Sequence, residues 1–212
     1  MNYTQLSQAI QDYCQNSETT FVANIPNFVQ LAEERVYNAV QIPAIRKNQT
    51  GTMATGNKYL TLPTDWLATF SLSVIDPVSG AQTFLLDKDV NFIRQSYPTP
   101  TTSGTPGYYA QFDVDTLILG PTPDQSYAVE LHYYYYPTSI VTAGTTWLGS
   151  NFEEVLLYGA LREAYLFMKG EADIIQNYEA KYQEGMALLK ELGDGKNRRD
   201  AYRNGQLRVP VT

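Results

Sequence analysis

Residues 151–193 read NFEEVLLYGALREAYLFMKGEADIIQNYEAKYQEGMALLKELG, and this stretch decides the class of fold. It predicts two consecutive helices, over about 151–169 and about 171–192. The first is apolar nearly all round between 155 and 168, which is typical of a helix buried at the centre of a bundle. The second carries one apolar stripe, formed by Ile175, Tyr178, Tyr182, Met186 and Leu189. Neither helix can bury its apolar side chains alone, so further helices must pack against this pair.

Single residues mark the ends and the contacts of these two helices. Asn151 is predicted to cap the first helix, because its short polar side chain can accept a hydrogen bond from a backbone N–H of the first turn. Gly170 is expected to end that helix, and Gly193 is expected at the C′ position of the second. Gly159 and Ala160 are small enough to let a neighbouring helix approach closely.

The stretch 1–43 supplies the further helices. One helix is predicted over about 4–14 with Thr4 as its N-cap. Another is predicted over about 24–41 with Pro26 in its first turn, where a missing N–H costs no intrahelical bond. The apolar stripe of this second helix consists of Ile25, Phe28, Ala32, Val36 and Ala39, and its outward face is predicted to carry Glu33, Glu34 and Arg35.

Between 44 and 149 the short-range period is closer to two and turn residues recur, which indicates strands and hairpins. The predicted strands cover 58–62, 66–75, 83–86, 108–112, 116–119 and 127–136. A short helix capped by Asp87 or Asp89 is expected to interrupt them. The fold class is therefore α+β. A four-helix-type bundle (1–43 and 150–193) carries an inserted antiparallel β-rich domain (44–149), and an extended C-terminal arm (194–212) follows.

Composition argues against most kinds of chemistry. The chain has one histidine, His132, and one cysteine, Cys14, which lie far apart in sequence and in elements of different type. Asp87, Asp89 and the other aspartates of this region fall at turns and caps, where aspartate is common for structural reasons. We therefore expect no catalytic centre, no metal site and no cofactor, with a hydrolase using these aspartates as the enzymatic alternative. No apolar stretch approaches the ~18 residues that span a bilayer, so we expect no membrane partner.

Four consecutive tyrosines at 133–136 are the most unusual run in the chain. Alternation along a strand puts two of them on each face of a sheet, so one face joins the core and the other is free for contact. A packed sheet or a subunit contact explains the run, and a carbohydrate- or receptor-binding platform is the alternative.

The C-terminal arm differs in charge from the rest of the chain. Residues 196–212 carry a net charge of +4, which leaves −11 for residues 1–195 of a chain whose net charge is −7. Arginines mixed with a tyrosine and spaced aliphatic residues are typical of a segment that becomes ordered on a partner. The candidate partner-binding residues are Arg198, Arg199, Tyr202, Arg203, Leu207, Arg208 and Val209.

Three stretches resemble the head-to-tail adaptor (neck) proteins of tailed bacteriophages, especially short-tailed ones. They are NYTQLSQAIQDYCQN with NIPNFVQLAEERVYNAV, GNKYLTLPTDWLATFSLSV, and EEVLLYGALREAYLFMKGEADIIQNYEAKYQEGMALLKE. The phrase YLTLPTDWL, followed far downstream by a helix pair of this type, is the most specific part.

The resemblance implies a structural protein of the virion neck or tail. During assembly, such a protein is expected in the host cytoplasm. Such adaptors form rings of about twelve copies that join the portal protein to the tail nozzle protein and line the DNA channel. The resemblance assigns portal binding to residues 194–212. An acidic body suits a channel through which genomic DNA passes without sequence-specific binding, because it does not hold the phosphate backbone.

Overall fold

A computed structural model describes residues 1–99 and 101–193, and contacts divide these residues into two compact units. The helical unit consists of Met1–Ile45 together with the chain from Pro137 to residue 193, and the β unit is Arg46–Tyr136. The described helices are α1 (Tyr3–Cys14), α2 (Thr19–Ala39), α3 (Val90–Ser96), α4 (Ile140–Ala143), α5 (Trp147–Asn151), α6 (Glu153–Phe167) and α7 (Ala172–Glu191). The described strands are β1 (Arg46–Met53), β2 (Tyr59–Thr61), β3 (Ala68–Ile75), β4 (Gln82–Phe84), β5 (Leu86–Asp87), β6 (Tyr108–Gln111), β7 (Thr116–Gly120) and β8 (Tyr127–Tyr134).

Helix α6 is the centre of the helical unit, since it packs against α1, α2 and α7. Gly159 lies where α6 passes between its neighbours: a Cβ atom there would be 3.0 Å from the Cβ of Ala32 and 3.2 Å from the ring of Tyr182. This confirms the close helix approach that was predicted at Gly159. Helix α7 likewise brings Gly185 against Val155. The mixed α+β class is confirmed, whereas a regular four-helix bundle stays a prediction.

The first helix begins slightly earlier than predicted. Asn2, and not Thr4, is its N-cap, because the Asn2 side chain accepts from the Gln5 backbone N–H at 2.9 Å. The Gln5 side chain in turn accepts from the Asn2 N–H at 3.0 Å, which completes a capping box. Leu6 and Ile10 face the core, as the periodicity predicts.

Helix α2 starts at Thr19, so the predicted start near Asn24 is wrong and Pro26 lies inside the helix instead of in its first turn. The extra turn upstream is held by packing, because the buried ring of Phe21 lies 5.9 Å from that of Phe28. The burial of Phe21 and Phe28 contributes to offsetting the hydrogen bond that Pro26 cannot donate.

Two side chains of α2 face the opposite way from the prediction. Glu33 was expected to face outward and is only 3% exposed, whereas Ala39 was expected in the apolar stripe and is exposed. Glu33 lies among buried residues because its Oε1 accepts a hydrogen bond from the Ile140 backbone N–H at 2.9 Å. A partner from a distant part of the chain therefore decides its orientation.

The segment before α6 contains two short helices, α4 and α5, that the sequence pattern did not indicate. As a result Asn151 is not the N-cap of the long helix. It is the last residue of α5, and its side chain donates to the Trp147 carbonyl at 2.8 Å. Helix α6 begins at Glu153 with no side-chain cap.

Gly193 follows the end of α7 but does not adopt the left-handed backbone that is typical of a C′ glycine. A Cβ atom there would lie 2.7 Å from the Gln41 carbonyl oxygen. Close approach of the chain, and not a positive φ, therefore accounts for a glycine at this position.

The β unit is a pair of four-stranded sheets with strand orders β1-β8-β3-β4 and β2-β7-β6-β5. All strand pairs are antiparallel except β5 with β6, which is parallel. The core of the unit joins residues of both sheets, among them Leu72, Val129, Leu117 and Leu119. Helix α3, capped by Asp89 as predicted, covers the second sheet from outside through Ile93, which packs on Ala110 and Ile118.

In the part of the chain that the structure describes, no helix is both long enough and apolar enough to cross a membrane.

Candidate assembly surfaces

The predicted partner-binding residues are Arg198, Arg199, Tyr202, Arg203, Leu207, Arg208 and Val209, and all of them lie outside the described residues. The described residues offer other surfaces, which lie on the two sheets of the β unit and on the helical unit.

The tyrosine run at 133–136 divides between core and surface. Tyr133 is fully buried, and Tyr135 packs beside it with ring centroids 6.5 Å apart. Tyr134 points to the other face of β8, and Tyr136 is 42% exposed. The run therefore divides between core and surface, as the alternation along the strand predicts, and the carbohydrate- or receptor-binding alternative stays a prediction.

Tyr133 is also fixed at its polar end. Its hydroxyl donates to Asp65 Oδ1 at 2.8 Å, and the second oxygen of that carboxylate pairs with Lys47 Nζ at 2.7 Å. The hydrogen bond from Lys47 is the main reason that the pKa of Asp65 lies below its usual value. Burial, followed by the bond to Asp65, raises the pKa of Tyr133. These contacts tie β1 and β8 to the segment before β3.

Replacing Tyr133 by phenylalanine is expected to lower the free energy of unfolding by about 1 kcal/mol, because it removes one hydrogen bond to a carboxylate and leaves the ring in place. Tyr134→Phe is the matched control, since its ring lies on the other face of the same strand. Urea denaturation of both variants measures the difference. Equal stabilities would contradict a structural role for the Tyr133 hydroxyl.

The outer face of the first sheet carries an exposed aromatic cluster. A bulge between Thr69 and Ser71 places Phe70 on this face, where it is 50% exposed. The Phe70 ring makes edge contacts with His132 and Tyr134, and the Arg46 guanidinium lies 4.5 Å from its centroid. His132 is thus a residue of strand β8 whose ring contacts an aromatic ring.

Glu130 lies on the same outer face, on the central strand β8. Its carboxylate accepts hydrogen bonds from the side chains of Asn48 on β1 and Gln82 on β4. These two bonds hold the pKa of Glu130 below its usual value. The network reaches from β1 to β4 across the sheet, and both oxygens of the Glu130 carboxylate accept a hydrogen bond within it.

The outer layer of the second sheet carries cations placed over aromatic rings. Lys58 lies 5.4 Å from the centroid of Tyr59, and Arg94 of α3 lies 5.3 Å from the centroid of Phe112. Tyr59 and Phe112 contact each other with centroids 5.2 Å apart. A third pair, Lys88 over Phe92 at 5.4 Å, lies at the start of α3. We call these six residues the cationic aromatic face.

The helical unit is held by a chain of ion pairs that crosses three helices. Arg35 of α2 pairs with Glu163 of α6 at 3.0 Å, and Arg162, next to Glu163, pairs with Glu179 of α7. The Arg162 guanidinium also lies 5.4 Å from the centroid of the Tyr182 ring. Arg162 and Glu163 are largely buried, and the network links α2, α6 and α7.

The side chains that could take part in catalysis or metal binding do not cluster in the described residues. Among residues 1–99 and 101–193, no three His, Cys, Asp or Glu side chains come together as metal ligands would. Cys14 is half-buried, and burial raises the pKa of its thiol to about 11, which keeps it protonated and unreactive. Asp89, Asp113 and Asp115 accept local hydrogen bonds at a helix cap and a turn.

The comparison with protein families decides how these surfaces are to be interpreted. The model of the SU10 adaptor protein family matches residues 1–210. The chain belongs to the SU10 adaptor protein family. The resemblance to phage head-to-tail adaptors is thereby confirmed over nearly the whole chain, and the adaptor has a structural role in the virion neck. A comparison with curated proteins gave no match.

For an adaptor, the surfaces that matter are those that contact other proteins. The sequence predicts one such surface, the C-terminal arm, from its charge and its aliphatic residues. It did not indicate the cationic aromatic face. Lys58 and Tyr59 are sequence neighbours, but Arg94 and Phe112 meet only because α3 lies across the second sheet.

Proposed function

We propose that this adaptor forms a ring, of about twelve copies as its resemblance implies, that joins the portal protein to the tail nozzle protein and lines the DNA channel. The observation that carries the proposal is the family match over residues 1–210, which includes most of the C-terminal arm as well as both units. The four-helix bundle and the inserted β domain are its expected parts, and the function is assembly and not catalysis.

The arm, residues 194–212, is proposed to bind the portal. Its arginines, Arg198, Arg199, Arg203 and Arg208, supply charge that steers the encounter, and Tyr202, Leu207 and Val209 supply the apolar contact. DNA passes through the ring without sequence-specific binding, because a chain with a net charge of −7 does not attract the phosphate backbone.

Removal of residues 194–212 is expected to weaken portal binding at least about tenfold, which corresponds to ~1.4 kcal/mol. The measurement is binding of the full-length and shortened proteins to their cognate portal, with thermal unfolding of both as the control for folding. A variant that keeps the arm but replaces Leu207 and Val209 by serine separates apolar contact from charge.

Unchanged portal binding after the deletion would show that the arm is not the binding segment. Electron microscopy of the full-length protein on the portal tests the ring itself. A bound adaptor that forms no ring, or a ring whose symmetry is incompatible with that of the portal, would contradict the proposed function.

A further inference from the structure

The cationic aromatic face combines exposed rings with cations that have no acidic partner. The side chains of Tyr59, Phe92 and Phe112 are 38%, 39% and 40% exposed. Among the described residues, Lys58, Lys88 and Arg94 make no salt bridge, and each lies over a ring instead. The face therefore has both apolar area and cations that form no salt bridge among the described residues.

The positive charge is concentrated here although the β unit as a whole is acidic. The unit has eight aspartates and glutamates against five lysines and arginines, and three of those five belong to this face. The carboxylates of Asp89, Asp113 and Asp115 lie near in sequence but accept local hydrogen bonds, at 2.7 Å, 2.6 Å and 3.0 Å. Among the described residues, none of these carboxylates forms a salt bridge with one of the three cations.

Such a composition is typical of a protein–protein contact. Aromatic residues and arginine are enriched at the energetically dominant positions of interfaces. A cation that already lies over a ring loses less side-chain freedom when a carboxylate binds it, so less of the interaction energy is lost to ordering. A partner for this face must therefore offer carboxylates together with some apolar surface.

The helical unit of the same protein has that chemistry. Its described residues include twelve aspartates and glutamates against five lysines and arginines. Nine of the carboxylates are exposed: Asp12, Glu18, Glu34, Glu153, Glu154, Glu171, Asp173, Glu184 and Glu191. The same unit also has exposed leucines, Leu31 on α2 and Leu188 on α7. In a ring, each copy must present two different surfaces, one to each neighbour.

We infer that the cationic aromatic face of one copy contacts the acidic helical unit of the next copy. This inference rests on the proposed ring and names the surface through which its subunits meet. Nucleic acid also suits cations over aromatic rings, but the acidic surroundings disfavour it.

The test is ring formation by a double variant, Lys58→Glu with Arg94→Glu, on the cognate portal. The arm is unchanged, so single copies are expected to bind the portal normally, whereas the affinity between neighbouring copies is expected to fall about tenfold or more. Native mass spectrometry and electron microscopy count the copies on each portal. Lys169→Glu with Lys190→Glu is the control for an equal change in net charge, because it reverses two exposed cations of the helical unit, makes that unit more acidic and is expected to leave complete rings.

A milder variant, Lys58→Gln with Arg94→Gln, keeps the test decisive if charge reversal impairs folding, which thermal unfolding reports. Complete rings from either folded variant of the face would overturn the inference. A variant of the face that forms complete rings but binds DNA less tightly than the wild type would also overturn the inference, because it would assign the face to nucleic acid. Absence of rings from the wild-type protein on the portal is a different result, since it contradicts the proposed function and not the choice of surface.

Discussion

Replacing Gly159 by leucine is expected to lower the free energy of unfolding of the helical unit by about 3 kcal/mol. Even a single Cβ atom at this position would lie 3.0 Å from the Cβ of Ala32 and 3.2 Å from the ring of Tyr182. The larger side chain has no space between α2 and α7, so α6 must move away from one of them. Since α6 also packs against α1, that displacement is expected to loosen the whole helical unit.

Two controls separate crowding from other effects of the substitution. Gly159→Ala is expected to change stability little, because about 1 kcal/mol gained in helix propensity offsets the tight contacts. Ala180→Leu adds the same leucine at an exposed position of α7 and is expected to stay within about 0.5 kcal/mol of the wild type.

The two tryptophans make the measurement specific, because Trp66 lies in the β unit and Trp147 in the helical unit. In a Trp66→Phe background, fluorescence during urea unfolding follows the helical unit alone. A Gly159→Leu protein with an unchanged unfolding midpoint would show that α2, α6 and α7 are not packed as closely as described.

Local patterns in the sequence were sufficient for elements whose packing follows from their own periodicity. The helix α7 buries Tyr182, Met186 and Leu189, which belong to its predicted stripe. The hairpin of β6 and β7 and the Asp89 cap of α3 also depend on neighbouring residues only. Both are observed.

The errors fall where a distant partner decides the local structure. The start of α2 depends on Phe21, whose ring is buried against Phe28 and lies 6.4 Å from that of Phe167. Pro26 was a misleading signal, since a helix tolerates an internal proline when packing compensates for the missing bond. The predicted cap at Asn151 is wrong for a different, local reason, because two short helices with their own caps at Ser139 and Thr146 precede α6.

Features of assembly could be predicted from the sequence only where they do not depend on contacts between distant residues. A charge difference between the arm and the body is visible in the sequence, because it needs no knowledge of which residues meet. The cationic aromatic face is not visible in this way, since Arg94 and Phe112 come from a helix and from the end of a strand. Its recognition requires the contact of α3 with the second sheet.

Glu33→Ala is expected to lower the free energy of unfolding by about 3 kcal/mol. The Glu33 carboxylate is buried and accepts the Ile140 backbone N–H at 2.9 Å, at the start of α4. Alanine leaves this N–H without a partner, at a cost of about 1–3 kcal/mol, and also leaves a cavity. Urea unfolding followed through Trp147 measures the loss, with Glu34→Ala as the exposed control from the adjacent position.

Glu33→Gln is expected to raise the free energy of unfolding at neutral pH, because it keeps an acceptor for the Ile140 N–H and removes a buried charge. Burial raises the pKa of Glu33, and the hydrogen bonds from Ser139 and Ile140 offset this only in part. The other carboxylate oxygen, Oε2, has no hydrogen-bond partner. Replacing such an incompletely compensated charge is often neutral or stabilising.

The raised pKa also fixes the sign of the pH dependence. Between the usual pKa of a glutamate and the higher native value, the native state binds the proton more tightly than the unfolded state, so stability falls as pH rises through this window. The wild-type protein is therefore expected to lose stability relative to Glu33→Gln as the pH rises above the usual pKa of a glutamate. A wild-type protein that gained stability relative to Glu33→Gln over this range would show that the carboxylate is better solvated or better paired than its contacts indicate.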